Sequence, residues 1–294
     1  MISYLHRTMG LAIFFTMQAE SFVARAETTD ANSLPIAVSN AANSAKTLAK
    51  LCYDELKIFS GHTNEATLKA ACEKVEQLDG CTSVENQPIF HYNRTGSLKE
   101  KRILVVSLIH GDETPAGSVG RFWMERLQTI DPRNTWRIIP ILNPDGVKRH
   151  SRTNANNIDL NRNFPTLDWE EQAQSFWKKF ASSSPRKFPG NNSGSEPETK
   201  CALAHIADFK PTFVVSIHTP LKVLDFDGPK VKPPPYAYLP WKSLGHFPGS
   251  LGRYMWHERK VPVLTTELKE ELPNSIQPLE SLQDVIGTLV KMEL

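Results

Sequence analysis

The stretch VVSLIHGDETPAG, residues 105–117, runs apolar and β-branched as far as Ile109 and then turns into His110, Gly111, Asp112 and Glu113. Its first half reads as a buried strand, and Pro115 marks the opening of a helix just beyond. An imidazole and two carboxylates therefore stand where a strand ends. In an open α/β sheet, the carboxyl ends of the strands form the edge at which ligands bind.

Outward from this point the pattern repeats. From residue 83 onward apolar runs alternate with amphipathic stretches, as in an α/β domain. Strands are predicted over 88–93, 102–109, 136–142, 213–218 and 261–267, and helices over 114–128, 196–209, 249–258 and 276–292. The expected fold class is α/β, a mixed and mostly parallel sheet flanked by helices over 83–292, preceded by a small helical hairpin. Two segments, 165–195 and 225–248, lack periodicity and are rich in Pro, Gly, Ser and aromatics. Loops of that length build or cover a site.

Upstream of the sheet the chain reads differently. Residues 1–26 resemble an export signal: His6 and Arg7, then the apolar run LAIFFTM at 11–17, then ARA at 24–26 as a small-x-small cleavage site. No other stretch is apolar for long enough to span a bilayer, so stable membrane insertion is not expected. Residues 27–44 are small and polar, a linker. A hairpin over 45–80 follows, with helices predicted at 45–59 and 64–78 joined by SGHTN. Cys52 and Cys72 fall in these two helices, where a bridge would staple the hairpin. Cys81 and Cys201 are also able to pair, and the sequence leaves all three connectivities open. Export would put the chain in a periplasmic or secreted, oxidising setting that suits disulfides. Lys and Arg number 34 against 32 Asp and Glu and are scattered, which gives no footprint for nucleic acid and favours a small or peptide ligand.

The strand ends carry the chemistry. The predicted strand at 102–109 delivers His110 and Glu113, that at 136–142 delivers NPDG, that at 213–218 ends in His218 and that at 261–267 ends in Glu267. His and Glu three residues apart on a turn are able to aim at one point, and a distant His adds a third ligand. Three protein ligands leave the fourth position of a tetrahedral zinc for water, the arrangement of catalytic rather than structural sites. Zinc acidifies water and polarises a carbonyl, but a carboxylate must still receive the proton. Glu267 is placed to do so.

The blocks HGDE, NPDGVKRHSRTNANNIDLNRNFP (143–165), SIH and TTEL, in this order, resemble the zinc carboxypeptidase family over most of 83–292. SVENQPI (83–89), SIHTPLKVLDFDGP (216–229) and FPGSLGRY (247–254) look most like its bacterial peptidoglycan-cleaving branch, the murein tripeptide amidases. The resemblance implies one zinc ion held by His110, Glu113 and His218, with Glu267 as general base and acid. It implies Asn161 and Arg162 as the grip on the substrate's terminal carboxylate, and Arg149 as the oxyanion donor. A planar guanidinium suits a carboxylate, and a cation aimed at a developing oxyanion acts where charge appears. The family's mobile tyrosine has Tyr236, Tyr238 and Tyr254 as candidates.

The expected activity is zinc-dependent hydrolysis of an amide next to a free carboxylate, by resemblance the γ-D-glutamyl–meso-diaminopimelate bond of a muropeptide. The alternatives are a general metallocarboxypeptidase on L-peptides, an aspartoacylase-type deacylase and a non-catalytic module that binds cell-wall peptide. Other residues read more plainly. Asp159 orients a ligand or an arginine, and Asp112 does the same or forms a turn. Asp225 and Asp227 fit either a substrate amine or the turn before Gly228-Pro229. His91, His150, His205, His246 and His257 are structural or surface residues.

Overall fold

The computed structural model describes residues 34–292, with side chains described from Ser44 onward except at 98–100. The predicted export signal and residues 27–33 of the predicted linker lie outside the described residues. The chain divides into two units, Met1–Asn40 and Ala41–Leu294. The first helix begins in the former, and all contacts below lie within the latter.

The elements in chain order are α1 (Leu34–Leu56), α2 (Glu65–Cys72), β1 (Val75–Thr82), β2 (Pro88–Arg94), β3 (Leu98–Val106), α3 (Thr114–Thr129), β4 (Asn134–Ile139), α4 (Pro144–Arg149), α5 (Trp169–Phe180), α6 (Pro197–Phe209), β5 (Phe213–His218), β6 (Val223–Asp227), α7 (Leu251–Arg253), β7 (Val263–Glu267) and α8 (Gln277–Leu289). Seven strands form one sheet in the order β1-β2-β4-β3-β5-β7-β6. The central strands β4, β3, β5 and β7 are parallel, and β1, β2 and β6 add antiparallel pairings at the two sides. The expected mixed α/β sheet with flanking helices is therefore observed.

The two faces of the sheet follow from strand alternation. Ile103 and Val105 of β3, with Val215 and Ile217 of β5, pack into one core with Trp123 of α3 and Leu282 and Ile286 of α8. Leu104, Val106, Val214 and Val263 point the other way, against Ala202 and Ile206 of α6 and Leu251. Every residue of β5 is buried, as a parallel strand covered on both faces requires.

Three departures from the sequence reading have physical reasons. Residues from Leu34 are helical where a linker was predicted, because α1 starts there rather than at 45. The second hairpin helix stops at Cys72, and Val75–Thr82 instead pairs with β2, so that tertiary pairing overrides the helical reading of 73–78. Trp169, Ala173, Phe176 and Trp177 have helical spacing inside the segment read as aperiodic, and they form α5.

The hairpin is held to the domain by a buried cation. Arg121 of α3 is fully buried and donates to the carbonyls of Leu56, Phe59, Ser60 and His62, which lie at and just beyond the end of α1. Glu125, one turn on, accepts from Thr63 Oγ1 at 2.7 Å and Asn64 N at 2.8 Å. Disulfides join Cys52 to Cys72 and Cys81 to Cys201, choosing one of the three connectivities. No helix among the described residues is long and apolar enough to cross a membrane.

Two stability predictions follow from these contacts. Replacing Cys52 and Cys72 by serine opens a loop of 20 residues in sequence separation and should cost about 3 kcal/mol. A urea midpoint equal to that of the parent protein would show that the bridge contributes nothing. Separately, His91 and His205 are buried with ring centroids 4.7 Å apart. Burial first, then the nearby Arg137, pushes His91 from 6.5 to about 4; burial, then His91 and Arg137, pushes His205 to about 3. The unfolded chain takes up protons near pH 6.5 that the folded chain refuses, so stability is full above that pH and falls as the medium is acidified toward pH 4. The loss is on the order of 1 kcal/mol per pH unit for each histidine. Melting curves of the His91→Gln variant should show a shallower acid dependence than the parent, and parallel curves would sink the assignment.

Candidate active site

The site is built at the carboxyl ends of β3, β5 and β7. Beyond Val106 the chain leaves the sheet through Leu108, whose φ of 49° is left-handed and turns the backbone so that its carbonyl accepts from Asn143 N at 3.0 Å. Gly111 then packs on the first turn of α4. A Cβ at this position would lie 2.0 Å from the Gly146 carbonyl carbon, so no side chain fits between HGDE and NPDG. Glu113 occupies the N-cap position of α3 without a side-chain capping bond, which leaves its carboxylate to the cleft, and Pro115 lies in the first helical turn.

The polar groups of NPDG are committed to structure. Asn143 accepts from Gly146 N at 2.9 Å as a helix cap, and the buried Asp145 accepts from Ser83 Oγ at 2.7 Å and Glu85 N at 2.9 Å. This motif locks the turn at 83–87 against α4. It does not face the cleft.

His110, Glu113 and His218 are all buried and offer ligand atoms within 4.8 Å of one another. His110 Nδ1 lies 3.2 Å from His218 Nδ1, and the two Glu113 oxygens lie 2.8 Å from His110 Nδ1 and 3.0 Å from His218 Nδ1. Ligands of a tetrahedral zinc with bonds of about 2.0–2.1 Å stand roughly 3.3 Å apart. The three residues fit such an ion. The tautomer fits too: Asp159 Oδ1 is 3.1 Å from His110 Nε2, and a carboxylate there requires the proton on Nε2, which leaves the Nδ1 lone pair facing inward. Ser216 Oγ fixes the His218 ring in the same way, 2.9 Å from Nε2. Among the described residues, the other grouping of metal-binding type, Cys81, Cys201 and His205, has both thiols in a disulfide.

Asp159 does two jobs. Its second oxygen accepts from Arg152 Nε at 2.9 Å, while its first also caps the 3-10 turn Leu160–Arg162 through Asn161 N at 3.0 Å. Burial works against charge on Asp159, yet Arg152 and His110 hold its carboxyl well below the ordinary range. Glu113 is likewise held low by His110 and His218 against its own burial.

The cleft around these groups is lined by Arg152, Arg162, Asn161, Glu267, Thr265, Asp225, Asp227 and Phe247, among others. Glu267 ends β7 directly beside His218 in the parallel register, and its Oε2 accepts from Leu221 N at 3.3 Å. Arg162 lies with its guanidinium 4.6 Å from the centre of the Phe247 ring. Asn161 Oδ1 accepts from Leu251 N at 2.9 Å, tying the turn to α7. Gly249 makes the same seam: at φ 75°, a Cβ there would lie 2.0 Å from the Arg162 carbonyl oxygen.

Six of the seven residues expected at the site therefore converge. The exception is Arg149. It sits at the exposed end of α4, 43% exposed, paired with Glu85 and donating to the Ala155 carbonyl at 3.2 Å, and it does not line the cleft. Arg152, three residues on, is 16% exposed and reaches His110 Nδ1 at 3.1 Å and Glu113 at 3.5 Å. The end of α4 lies between the two: His150 adopts a left-handed φ of 49° and closes the helix, so that Arg152 leaves the direction of α4. Choosing between two arginines of one basic run needed that turn. None of the three candidate tyrosines lines the cleft: Tyr236 donates to the Pro278 carbonyl, Tyr254 accepts from Arg259, and Tyr238 packs on Tyr236.

Comparison with known proteins agrees with this geometry. The family model described as zinc carboxypeptidase matches residues 64–237, which include His110, Glu113, Arg152, Asp159, Asn161, Arg162 and His218. Murein peptide amidase A of Escherichia coli (strain K12) is 34% identical over 126 residues, 42% of this chain and 50% of that protein, so the chain spans about half the length of this relative. Murein peptide amidase A of Vibrio campbellii (strain ATCC BAA-1116) is 29% identical over 180 residues, 57% of this chain and 69% of that one. Among solved structures, the murein-tripeptide amidase of Escherichia coli O157 shares the fold with a TM-score of 0.54 at 21% identity, covering 75% of this chain and 92% of that one. Bovine thrombin-activatable fibrinolysis inhibitor shares it with a TM-score of 0.61 at 18% identity, covering 84% and 97%. From the strand-end residues, the sheet that carries them and the family match over 64–237, the chain belongs to the zinc carboxypeptidase family.

Proposed function

We propose that this protein is a zinc-dependent peptide amidase that hydrolyses an amide next to a free carboxylate, with the γ-D-Glu–meso-diaminopimelate bond of peptidoglycan peptides as its substrate. The observation that carries this reading is the convergence of His110 Nδ1, His218 Nδ1 and the Glu113 carboxylate beside two arginines and Glu267 in one cleft. The likeness to proteins named murein peptide amidase supports the substrate. Two disulfides and the export-like 1–26 support work in the periplasm or outside the cell.

His110, Glu113 and His218 would hold one zinc ion, which supplies Lewis acidity toward water and the scissile carbonyl. Arg162 would receive the substrate carboxylate as a bidentate partner, with the Phe247 ring holding its guanidinium plane and Asn161 beside it. That docking fixes the scissile amide between Arg152 and Glu267. Arg152, oriented by Asp159, would donate to the oxygen on which negative charge develops. Glu267 would take the proton from the attacking water and pass it to the leaving amine, the two transfers a single carboxylate is able to perform in turn.

The roles separate by mutation. Glu267→Gln should bind zinc at one equivalent, read by metal analysis, and lose hydrolysis of L-Ala-γ-D-Glu-meso-diaminopimelate; retained turnover would remove Glu267 from the proton path. Release of diaminopimelate from this tripeptide but not of the last residue from a blocked L-dipeptide is the expected mass-spectrometric result, and the reverse would make the protein a carboxypeptidase on L-peptides. Arg152→Ala should cut kcat by about 10²–10³, as loss of an oxyanion donor does. Arg149→Ala should change it less than twofold. Asp159→Ala should weaken zinc by about 10–100-fold in chelator competition, because His110 loses its orienting partner; unchanged affinity would leave Asp159 a purely architectural residue.

A further inference from the structure

Outside the cleft, where β1 and β2 meet α6, four side chains gather that the chemistry above does not use. Cys201 and His205 lie one turn apart in the CALAH stretch of α6 and so share a face of that helix. Cys81 of β1 is bonded to Cys201, their Cα atoms 4.9 Å apart, and one ligand atom from each of Cys81, Cys201 and His205 lies within 4.8 Å of the others. His91 of β2 places its ring centroid 4.7 Å from that of His205, edge to face. All four residues are at most 2% exposed.

A disulfide alone needs neither histidine. His205 Nε2 and both nitrogens of His91 have no hydrogen-bond partner among the described residues, and the Glu76 carboxylate stays 3.5 Å from His91 Nε2. Arg137 approaches His205 Nδ1 only to 3.5 Å, and its guanidinium is already committed to Asp208 at 2.6 Å and Asn93 at 2.9 Å. Buried nitrogens without partners cost free energy, whereas neutral imidazoles beside two sulfurs form a donor set that suits zinc. Burial above all keeps both rings neutral at pH 7. A tetrahedral zinc with Zn–S bonds of about 2.3 Å and Zn–N bonds of about 2.0–2.1 Å sets its sulfurs about 3.8 Å apart and sulfur from nitrogen about 3.5 Å. Once the bond between the sulfurs opens, the 4.8 Å envelope of these three ligand atoms accommodates that spacing.

We propose that Cys81, Cys201 and His205, with His91 at the fourth position, hold a divalent ion of the zinc type when the disulfide is reduced, so that β1 stays clasped to α6 in either redox state. A dithiol opens the bond by exchange: it is oxidised to its own cyclic disulfide, and its two electrons and two protons pass to Cys81 and Cys201, which become thiols. The metal then displaces both protons, and the two thiolates balance its charge. Two sulfurs and two imidazoles form the closed ligand set of a structural ion, which separates this site from the three-ligand arrangement of His110, Glu113 and His218. The clasp is independent of the reaction in the cleft.

The test is titration of the full chain with cobalt(II), before and after reduction by a water-soluble phosphine standing in for the dithiol. The reduced protein should bind one equivalent more than the oxidised protein and show the near-ultraviolet charge-transfer band of thiolate-bound cobalt, which the carboxylate and imidazoles of the cleft do not give. His205→Gln, its fold verified in the oxidised form by a melting curve, should bind this extra ion at least about tenfold more weakly, since loss of an outer partner of a ligand alone costs that much. Cys81→Ser, which keeps Cys52, Cys72 and Cys201 as thiols after reduction, should lose the band. Equal stoichiometry in the two redox states, including a reduced chain that unfolds with cobalt present, overturns the proposal, as does a band of undiminished strength in either variant.

Discussion

The buried carboxylate of Asp159 is the interaction on which the site depends. It is fully enclosed, and it bonds at once to His110 from the turn beyond β3, to Arg152 from the loop after α4 and to the backbone of the turn that carries Asn161 and Arg162. A lone anion in such a place would be prohibitively costly; here its neighbours are the groups whose geometry matters, and its charge is the reason they stay in place. One side chain therefore sets the tautomer of His110, aims the Arg152 guanidinium and caps the turn beneath Arg162. The three groups come from different parts of the chain, and Asp159 makes them a unit.

The sheet provides the rest. Because β3, β5 and β7 run parallel in adjacent positions, their carboxyl ends reach one edge together, and His218 and Glu267 stand side by side in register. His218 and Glu267 are thus spaced by the interstrand distance, a quantity that backbone hydrogen bonding fixes to within tenths of an ångström. Loops handle what the sheet does not. The 3-10 turn bearing Arg162 is pinned from 85 or more residues away by Gly249 and by the Leu251 amide, so the arginine's backbone is clamped although it belongs to no strand.

Much of this was legible in the sequence. Strand ends with ionisable residues announced His110, Glu113, His218 and Glu267, since β-branched runs that stop at a polar residue report both the strand and its edge. The resemblance pointed to Arg149, whereas Arg152 is the one of the two that lines the cleft; spacing along the chain does not record the left-handed residue at His150 that lies between them. Arg121 was invisible for a related reason. Its five carbonyl acceptors lie at the end of α1 and in the loop after it, some sixty residues earlier, and nothing in a helix sequence distinguishes a buried guanidinium from a solvated one. The strand Val75–Thr82 was missed because its pairing with β2, not its own propensity, makes it a strand. The helix at 169–180 had its period in plain view, diluted by the Pro- and Ser-rich residues around it.

The position of β6 has a consequence for how such a protein diversifies. His218 and Glu267 stand on interior strands, each braced on both sides, and His110 and Glu113 on the turn beyond a third, whereas Asp225 and Asp227 of the cleft wall stand on the last strand, which has one sheet neighbour. A substitution on an interior strand disturbs two ladders; one on β6 disturbs the ladder to β7 and a lone bridge from Leu224 to Trp241. The two walls of the cleft thus differ in tolerance for change: the interior strand ends are held from both sides, and the β6 wall is held chiefly from one.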